Sequence, residues 1–189
     1  DFWEYAPNLN IWTKKAIFVG GVRSGETGFS VGSTGYIGTG QDNSTNIRND
    51  FWDYNPATNS WTKKADFGGT ARTTATGFSI GNKGYMGTGE VGSSLPSYDF
   101  LEYDPATNSW TKKADFGGIA RTTATGFSIG SKGYMGTGNN GGFANDFWEY
   151  DPATNAWTQK ADFGGGGRIY ATGFSIGSKG YIGLGLDES

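Results

Sequence analysis

Aromatic residues alternate with polar ones in a short segment that recurs four times along the chain. The segment has the form Asp-Phe-Trp-Glu-Tyr and begins at positions 1, 50, 99 and 146, so successive copies start 49, 49 and 47 residues apart. Alternation with a period of two puts every second side chain on one face, which predicts a half-buried β-strand. The spacing lies in the range of propeller blades and above that of leucine-rich or ankyrin units.

The second copy predicts four strands, at residues 50–54, 60–65, 72–80 and 85–89. Pro56 and Asn59 lie between the first two, where proline fixes φ and asparagine tolerates a left-handed backbone, so these strands form a hairpin. Copies two and three differ at only two positions between 56–89 and 105–138. This closeness indicates recent duplication or deliberate design.

Three further motifs recur in every unit. In the third copy, Tyr-Asp-Pro at 103–105 precedes Trp110, Arg121 is followed five residues later by Gly126, and 134–138 has the sequence Tyr-Met-Gly-Thr-Gly. Together they resemble the kelch repeat, whose hairpin, innermost strand and double-glycine strand carry the corresponding residues. The glycine pair is divided here by threonine in three copies and by leucine in the last.

The resemblance implies an all-β, kelch-like β-propeller that forms a single domain over residues 1–189. Its repeat units are 1–49, 50–98, 99–145 and 146–189. In each blade the arginine-led strand is innermost, followed outward by the glycine strand, the aromatic strand and the strand that carries Trp110 or its equivalent. Three blades are complete, near 22–66, 71–115 and 120–162, and the fourth combines 168–185 with 1–17.

Two ways of completing that split fourth blade stay open. The ends of one chain can meet in a compact four-bladed monomer, which is the lower limit for propellers. Alternatively, two chains pair head to tail into an eight-bladed homodimer. The large aromatic residues at the packing positions favour the wider ring, and either solution removes exposed sheet edges.

Composition narrows the possible functions. The 34 glycines and 16% aromatic residues suit short strands and tight turns rather than helices. The chain has no cysteine and no histidine, which excludes thiolate catalysis and removes the commonest general base and metal ligand. We therefore predict no catalytic residue, metal or cofactor. A net charge of −3 argues against nucleic acid, and no apolar run is long enough for a membrane span.

The candidate ligand site lies where each innermost strand begins, at Arg23, Arg72, Arg121 and Arg168. Four guanidinium groups around a channel mouth would recognise carboxylate or phosphate. The structural alternative is that they bond to loop carbonyls or pair with Asp66, Asp115 and Asp162. The positions that follow each arginine vary between copies, which adds Glu26, Thr73, Thr122 and Tyr170 to the candidate ligand-binding residues. The variable loops 41–49, 90–98 and 139–145 belong to the same face.

Other recurrent residues have structural interpretations. The tryptophans of the outermost strands, at 12, 61, 110 and 157, are predicted to pack between blades. Lysine pairs on the same strands guard the sheet edge. The acidic residues Glu4, Asp53, Glu102 and Glu149 are predicted to be structural partners of nearby lysines or backbone groups.

These features predict a non-catalytic binding or interaction module whose partner is a protein, a peptide or a glycan. One alternative is a structural or designed repeat scaffold. A remote alternative is a sugar mutarotase that would use Glu26 and the arginines. The sequences of the repeats are similar to those of bacterial kelch-repeat proteins that are secreted or lie at the cell surface. The resemblance implies the same location for this chain.

Overall fold

A computed structural model describes residues 1–92 and 94–188, and these residues form strands and turns without a helix. Ser93, in the variable loop 90–98, and Ser189, in the fourth unit, lie outside the described residues. The all-β prediction is confirmed for the described part of the chain. Its strands are β1 (Trp3–Ala6), β2 (Ile11–Lys14), β3 (Arg23–Ser24), β4 (Thr27–Val31), β5 (Thr34–Gly38), β6 (Gln41–Asp42), β7 (Phe51–Asn55), β8 (Ser60–Lys63), β9 (Arg72–Thr73), β10 (Thr76–Ile80), β11 (Lys83–Gly87), β12 (Glu90–Val91), β13 (Leu95–Pro96), β14 (Phe100–Asp104), β15 (Ser109–Lys112), β16 (Thr125–Ile129), β17 (Lys132–Gly136), β18 (Phe147–Asp151), β19 (Ala156–Gln159), β20 (Thr172–Ile176) and β21 (Lys179–Gly183).

Three four-stranded antiparallel sheets follow one another in a repeated, propeller-like arrangement. Sheet I has the order β4-β5-β7-β8, sheet II the order β10-β11-β14-β15, and sheet III the order β16-β17-β18-β19. Two hairpins flank them: the N-terminal hairpin, β1–β2, and the C-terminal hairpin, β20–β21. These hairpins form separate two-stranded sheets, so the union of the two chain ends in a fourth blade stays a prediction.

The innermost strand is shorter than predicted. Residues 72–80 were expected to be continuous, but the strand is broken into β9 and β10 because Thr74 has a left-handed backbone with φ of 55°. The next strand ends at Gly87 rather than at position 89, because Thr88 also has positive φ, at 58°. Threonine is a poor residue for this region of φ, so neither break follows from strand propensity.

The hairpin turns follow the predicted chemistry. Ile80 pairs with Lys83, which leaves a two-residue loop whose first residue, Gly81, has φ of 58°. A two-residue turn with positive φ at its first position requires glycine. Asn59 adopts the expected left-handed conformation, with φ of 49°. Its side chain accepts hydrogen bonds from the Tyr54 hydroxyl at 3.0 Å and from the Ala16 backbone N–H at 2.8 Å, which links two successive units.

The core consists of aromatic residues between adjacent sheets. Between sheets I and II, the Phe51 ring lies 4.9 Å from those of both Tyr103 and Trp110, in edge-to-face geometry. Such pairs add about 0.5–1.5 kcal/mol each to the effect of burying their area. The same contacts recur one unit later, so packing between sheets is confirmed for the equivalent tryptophans at 61, 110 and 157. Trp12 is 64% exposed in the single chain, because no further sheet covers the outer side of its hairpin, so its packing between blades stays a prediction.

Candidate functional site at the axial mouth

Arg72 is fully buried at the start of the innermost strand of sheet II. Its guanidinium donates to both carboxylate oxygens of Asp99, at 2.5 and 2.7 Å, and to the carbonyls of Thr88 and Thr70 at 2.7 and 3.0 Å. The guanidinium carbon also lies 4.6 Å from the centre of the Phe67 ring. Paired hydrogen bonds of this kind fix the orientation of both groups.

The same arrangement recurs at two other junctions. Arg121, also fully buried, donates to both oxygens of Asp146 at 2.6 and 2.7 Å, and Arg23 pairs with Asp50 at 2.7 and 3.0 Å. The aspartates predicted as alternative partners are therefore the wrong ones. They follow the outermost strands, where Asp115, for example, pairs with Lys112 instead.

These ion pairs change the predicted role of the arginines. Burial would by itself raise the pKa of Asp99, but hydrogen bonds and charge from Arg72 hold that pKa below its ordinary value. The pKa values of Asp50 and Asp146 are lowered in the same way by Arg23 and Arg121. An arginine whose charge is already paired and whose guanidinium is covered is not available to an anionic ligand. The geometry at these three positions supports the structural alternative.

Arg168 differs from the other three. It is partly exposed, and its guanidinium donates to the carbonyls of Leu184, at 3.1 Å, and Gly165. The ring of Phe163 lies 4.9 Å from its guanidinium carbon, as in the other copies.

Four equivalent residues with left-handed backbones surround the inner end of these strands. They are Gly25, with φ of 65°, and Thr74, Thr123 and Tyr170, each with φ of 55°. The N–H of Thr74 donates to the Gly25 carbonyl at 2.7 Å, and that of Thr123 donates to the Thr74 carbonyl at 3.3 Å. Non-glycine residues in this conformation cost about 1–3 kcal/mol each and are concentrated at functional sites.

These residues line a cavity of about 390 Å³ together with Ala75, Ala124 and Ala171. The three alanines also line a second cavity, of about 230 Å³, which includes Glu26. We call the two cavities together the axial mouth. The hydroxyl oxygens of Thr74 and Thr123 are buried and have no hydrogen-bond partner within the described residues. Buried hydroxyl groups are normally bonded, and the hydroxyls of Thr39 and Thr137, which do not line the mouth, lack a partner in the same way.

The axial mouth contains two of the predicted site residues and misses two others. Glu26 and Tyr170 line it, and both are exposed. Thr73 and Thr122 are not among the lining residues: the Thr73 hydroxyl donates to the Gly25 carbonyl at 3.4 Å, and the Thr122 backbone exchanges hydrogen bonds with that of Asn139 at 2.8–2.9 Å. Thr74 and Thr123 occupy the expected place instead. The signal for them in the sequence was Gly25 at the equivalent position of the first copy.

The variable loops connect to the strands that lead into the mouth. Strand β12, at the start of the loop 90–98, pairs with β9, and the N–H of Arg121 donates to the Ser97 carbonyl at 3.1 Å. Strand β6, in the loop 41–49, pairs in the same way with β3. The predicted association of these loops with the arginine-led strands is therefore present in the described part of the chain.

The recurrent acidic residues of the third strands are all paired with lysine. Lys113 lies 3.1 Å from Glu102, which also accepts a hydrogen bond from the Tyr85 hydroxyl at 2.5 Å. The equivalent pairs are Lys15–Glu4, Lys64–Asp53 and Lys160–Glu149. Within the residues described, no three acidic side chains form a group that could hold a metal ion. No helix there is long and apolar enough to cross a membrane.

Comparison with protein-family models gives no match, and no curated protein matches the sequence. The fold is similar to a solved structure described as "Structure of YjhT", with a TM-score of 0.76 and 20% sequence identity. The alignment covers 87% of this chain and 59% of that chain, so this chain spans about three fifths of the longer one. At this identity the similarity concerns the fold: repeated antiparallel sheets in a propeller-like arrangement.

Proposed function

We propose that this chain is a kelch-like β-propeller array, with four blade units of which one is split, and that it acts as a non-catalytic binding module. The ligand site is the axial mouth. The observation that carries the proposal is the cavity at the inner ends of the strands, which residues with left-handed backbones line and which includes Thr74, Thr123 and the exposed Tyr170. The lining residues directly precede the innermost strands of the sheets, and their identity differs between copies, from Gly25 to Thr74 and Tyr170.

The chemistry of the mouth favours a sugar residue of a glycan. The hydroxyls of Thr74 and Thr123 have no partner in the described residues and would donate and accept hydrogen bonds with a sugar after rotating toward the cavity, and Tyr170, which is 62% exposed, offers an aromatic ring. A cavity of about 390 Å³ lies within the usual size range of small-ligand sites. Among the described residues that line the mouth, Glu26 is the acidic one, and three of the four arginines, Arg23, Arg72 and Arg121, are paired with aspartates, so a neutral ligand is favoured over an anionic one.

A glycan array, followed by calorimetry with each glycan that binds, tests this proposal. We expect Thr74→Val and Thr123→Val to weaken binding about tenfold each, since each removes a hydrogen bond worth about 1–1.5 kcal/mol without changing side-chain shape. Tyr170→Ala should weaken it further by removing the stacking surface.

The matched control is Thr122→Val, which makes the same chemical change one residue away from the mouth. We expect it to leave glycan affinity unchanged. An array on which no glycan binds, or variants of Thr74 and Thr123 that bind as well as the original chain, would contradict the proposed site. A peptide screen on the same variants would then decide whether the mouth takes a peptide instead.

A further inference from the structure

We propose that the two terminal hairpins dock against those of a second copy of this chain, so that each N-terminal hairpin completes a four-stranded sheet with the partner's C-terminal hairpin. This interaction surface is separate from the axial mouth, and its tests need no ligand. It is derived from contacts that the three complete sheets make with their neighbours and that the hairpins lack.

Both hairpins expose surfaces that are covered elsewhere in the fold. Trp12 and Tyr5 of the N-terminal hairpin are 64% and 44% exposed, and Phe174 and Tyr181 of the C-terminal hairpin are 51% and 43% exposed. The equivalents of Tyr5 in sheets II and III, Tyr103 and Tyr150, are completely buried. Unpaired strand edges beside exposed aromatic residues are a template for association.

The first complementary feature is an aromatic socket on sheet III. A cavity of about 490 Å³ is lined by Tyr134, Phe147 and Phe163 and borders Tyr181 of β21. In sheet II the equivalent residues, Tyr85, Phe100 and Phe116, receive Tyr150 and Trp157 of the next sheet, with ring centres 4.9–5.7 Å apart. The residues that would fill the sheet III socket are therefore Tyr5 and Trp12 of an N-terminal hairpin.

The second feature is a pair of complementary charged groups, one near each end of the described chain. Asp1 corresponds to Asp50, Asp99 and Asp146, and Arg168 corresponds to the arginines that those aspartates bind. The Trp3 indole donates to Asp1 at 3.0 Å, as Trp52 does to Asp50 at 2.7 Å, so the carboxylate is already oriented as in a complete sheet. One end of the molecule thus carries a basic group and the other end its acidic counterpart, which favours head-to-tail association.

The third feature is steric. A Cβ atom on Gly84 would lie 2.1 Å from the Phe29 ring, and one on Gly133 would lie 2.4 Å from Phe78, because each sheet inserts a phenylalanine over a glycine of the next. At the equivalent Gly35 the nearest atom is 4.0 Å away. Phe174 is the phenylalanine that would cover Gly35, and its exposure leaves it available to do so.

A second copy fits these surfaces better than the other end of the same chain. In one chain the two hairpins form separate sheets and all four aromatic residues stay exposed. Two copies placed head to tail would form two identical junctions, one at each pair of hairpins.

The first experiment measures mass and identifies which strands pair. We expect light scattering at micromolar concentration to give twice the chain mass of 20.1 kDa. The chain has no cysteine. By the register of the complete sheets, Ile182 is the expected partner of Trp3, as Met135 is of Trp148. Mixing Trp3→Cys chains with Ile182→Cys chains should give disulfide-linked pairs on a non-reducing gel, and neither variant alone should do so.

The second experiment blocks the junction without disturbing a single chain. Gly35→Leu should reduce the mass to one chain while retaining a cooperative thermal transition, since there is room for the side chain only when Phe174 is absent. Gly84→Leu is the matched control, and it should abolish folding because Phe29 occupies that space. Arg168→Ala should also raise the dissociation constant, by at least tenfold.

A mass of 20.1 kDa for the original chain would overturn the proposal. So would Gly35→Leu chains that remain paired. A variant with both cysteines that forms its disulfide within a single chain would show that the chain closes on itself, which also overturns it.

Discussion

At the scale of single residues, the buried arginines explain how small sheets keep a fixed geometry. Arg72 bonds to the carboxylate at the start of the third strand, to the carbonyl after the second strand, and to its own loop. One side chain thereby joins three segments of the same unit. Phe67 covers its face, so the guanidinium is held away from water.

We predict that Arg72→Ala destabilises the chain by about 3–5 kcal/mol, because it leaves Asp99 without its counter-charge in a largely buried place. Urea unfolding measures this. Arg48→Ala is the control: the Arg48 side chain is 48% exposed in its pair with Asp42, and its loss should cost less than about 1 kcal/mol. Equal unfolding midpoints for Arg72→Ala and the original chain would contradict the structural role of Arg72 and would support its predicted role in ligand binding.

At the scale of elements, the outer hairpin turn connects each sheet to the preceding unit. The Asn108 side chain accepts hydrogen bonds from the Tyr103 hydroxyl at 2.8 Å and from the Ala65 N–H at 3.0 Å. The Trp110 indole donates to the Ala65 carbonyl at 3.2 Å. The asparagine that gives this turn its left-handed backbone therefore also fixes the position of the sheet relative to the preceding unit.

We predict that Asn108→Gly costs about 1–3 kcal/mol. Glycine accepts the left-handed backbone of this position, where φ is 51°, so the loss isolates the two hydrogen bonds from any backbone strain. Thermal unfolding checks the size. Asn82→Ser, which introduces the residue that the third copy has at that place, should be neutral. A neutral Asn108→Gly would show that the turn does not contribute to packing between units.

At the scale of the whole molecule, the same ion pair is repeated at successive sheets, so its pH dependence accumulates. The folded-state pKa values of Asp50, Asp99 and Asp146 all lie below the ordinary value. A lowered pKa in the folded state gives stability that is complete above the unfolded pKa of about 3.9 and is lost as the pH falls below it.

We therefore predict that the free energy of unfolding is nearly constant from pH 7 to pH 5 and falls steeply below about pH 4. Denaturant titrations at a series of pH values measure it. Asp99→Asn should be less stable at pH 7 but show a shallower decline, because one of the carboxylates whose pKa is lowered by folding is gone. Parallel pH profiles for the two chains would mean that this aspartate does not titrate with folding.

The four-fold repeat, the hairpins and the left-handed Asn59 follow from the sequence alone, because alternation and turn chemistry act within about ten residues of chain. The partners of the arginines do not follow from the sequence, because Arg72 and Asp99 are far apart along the chain and meet only when the third strand aligns beside the second. The break at Thr74 was also missed, because contacts between sheets override the strand preference of threonine there. Whether the two hairpins meet depends on the packing angle between sheets, a property of many side chains together that no local segment encodes.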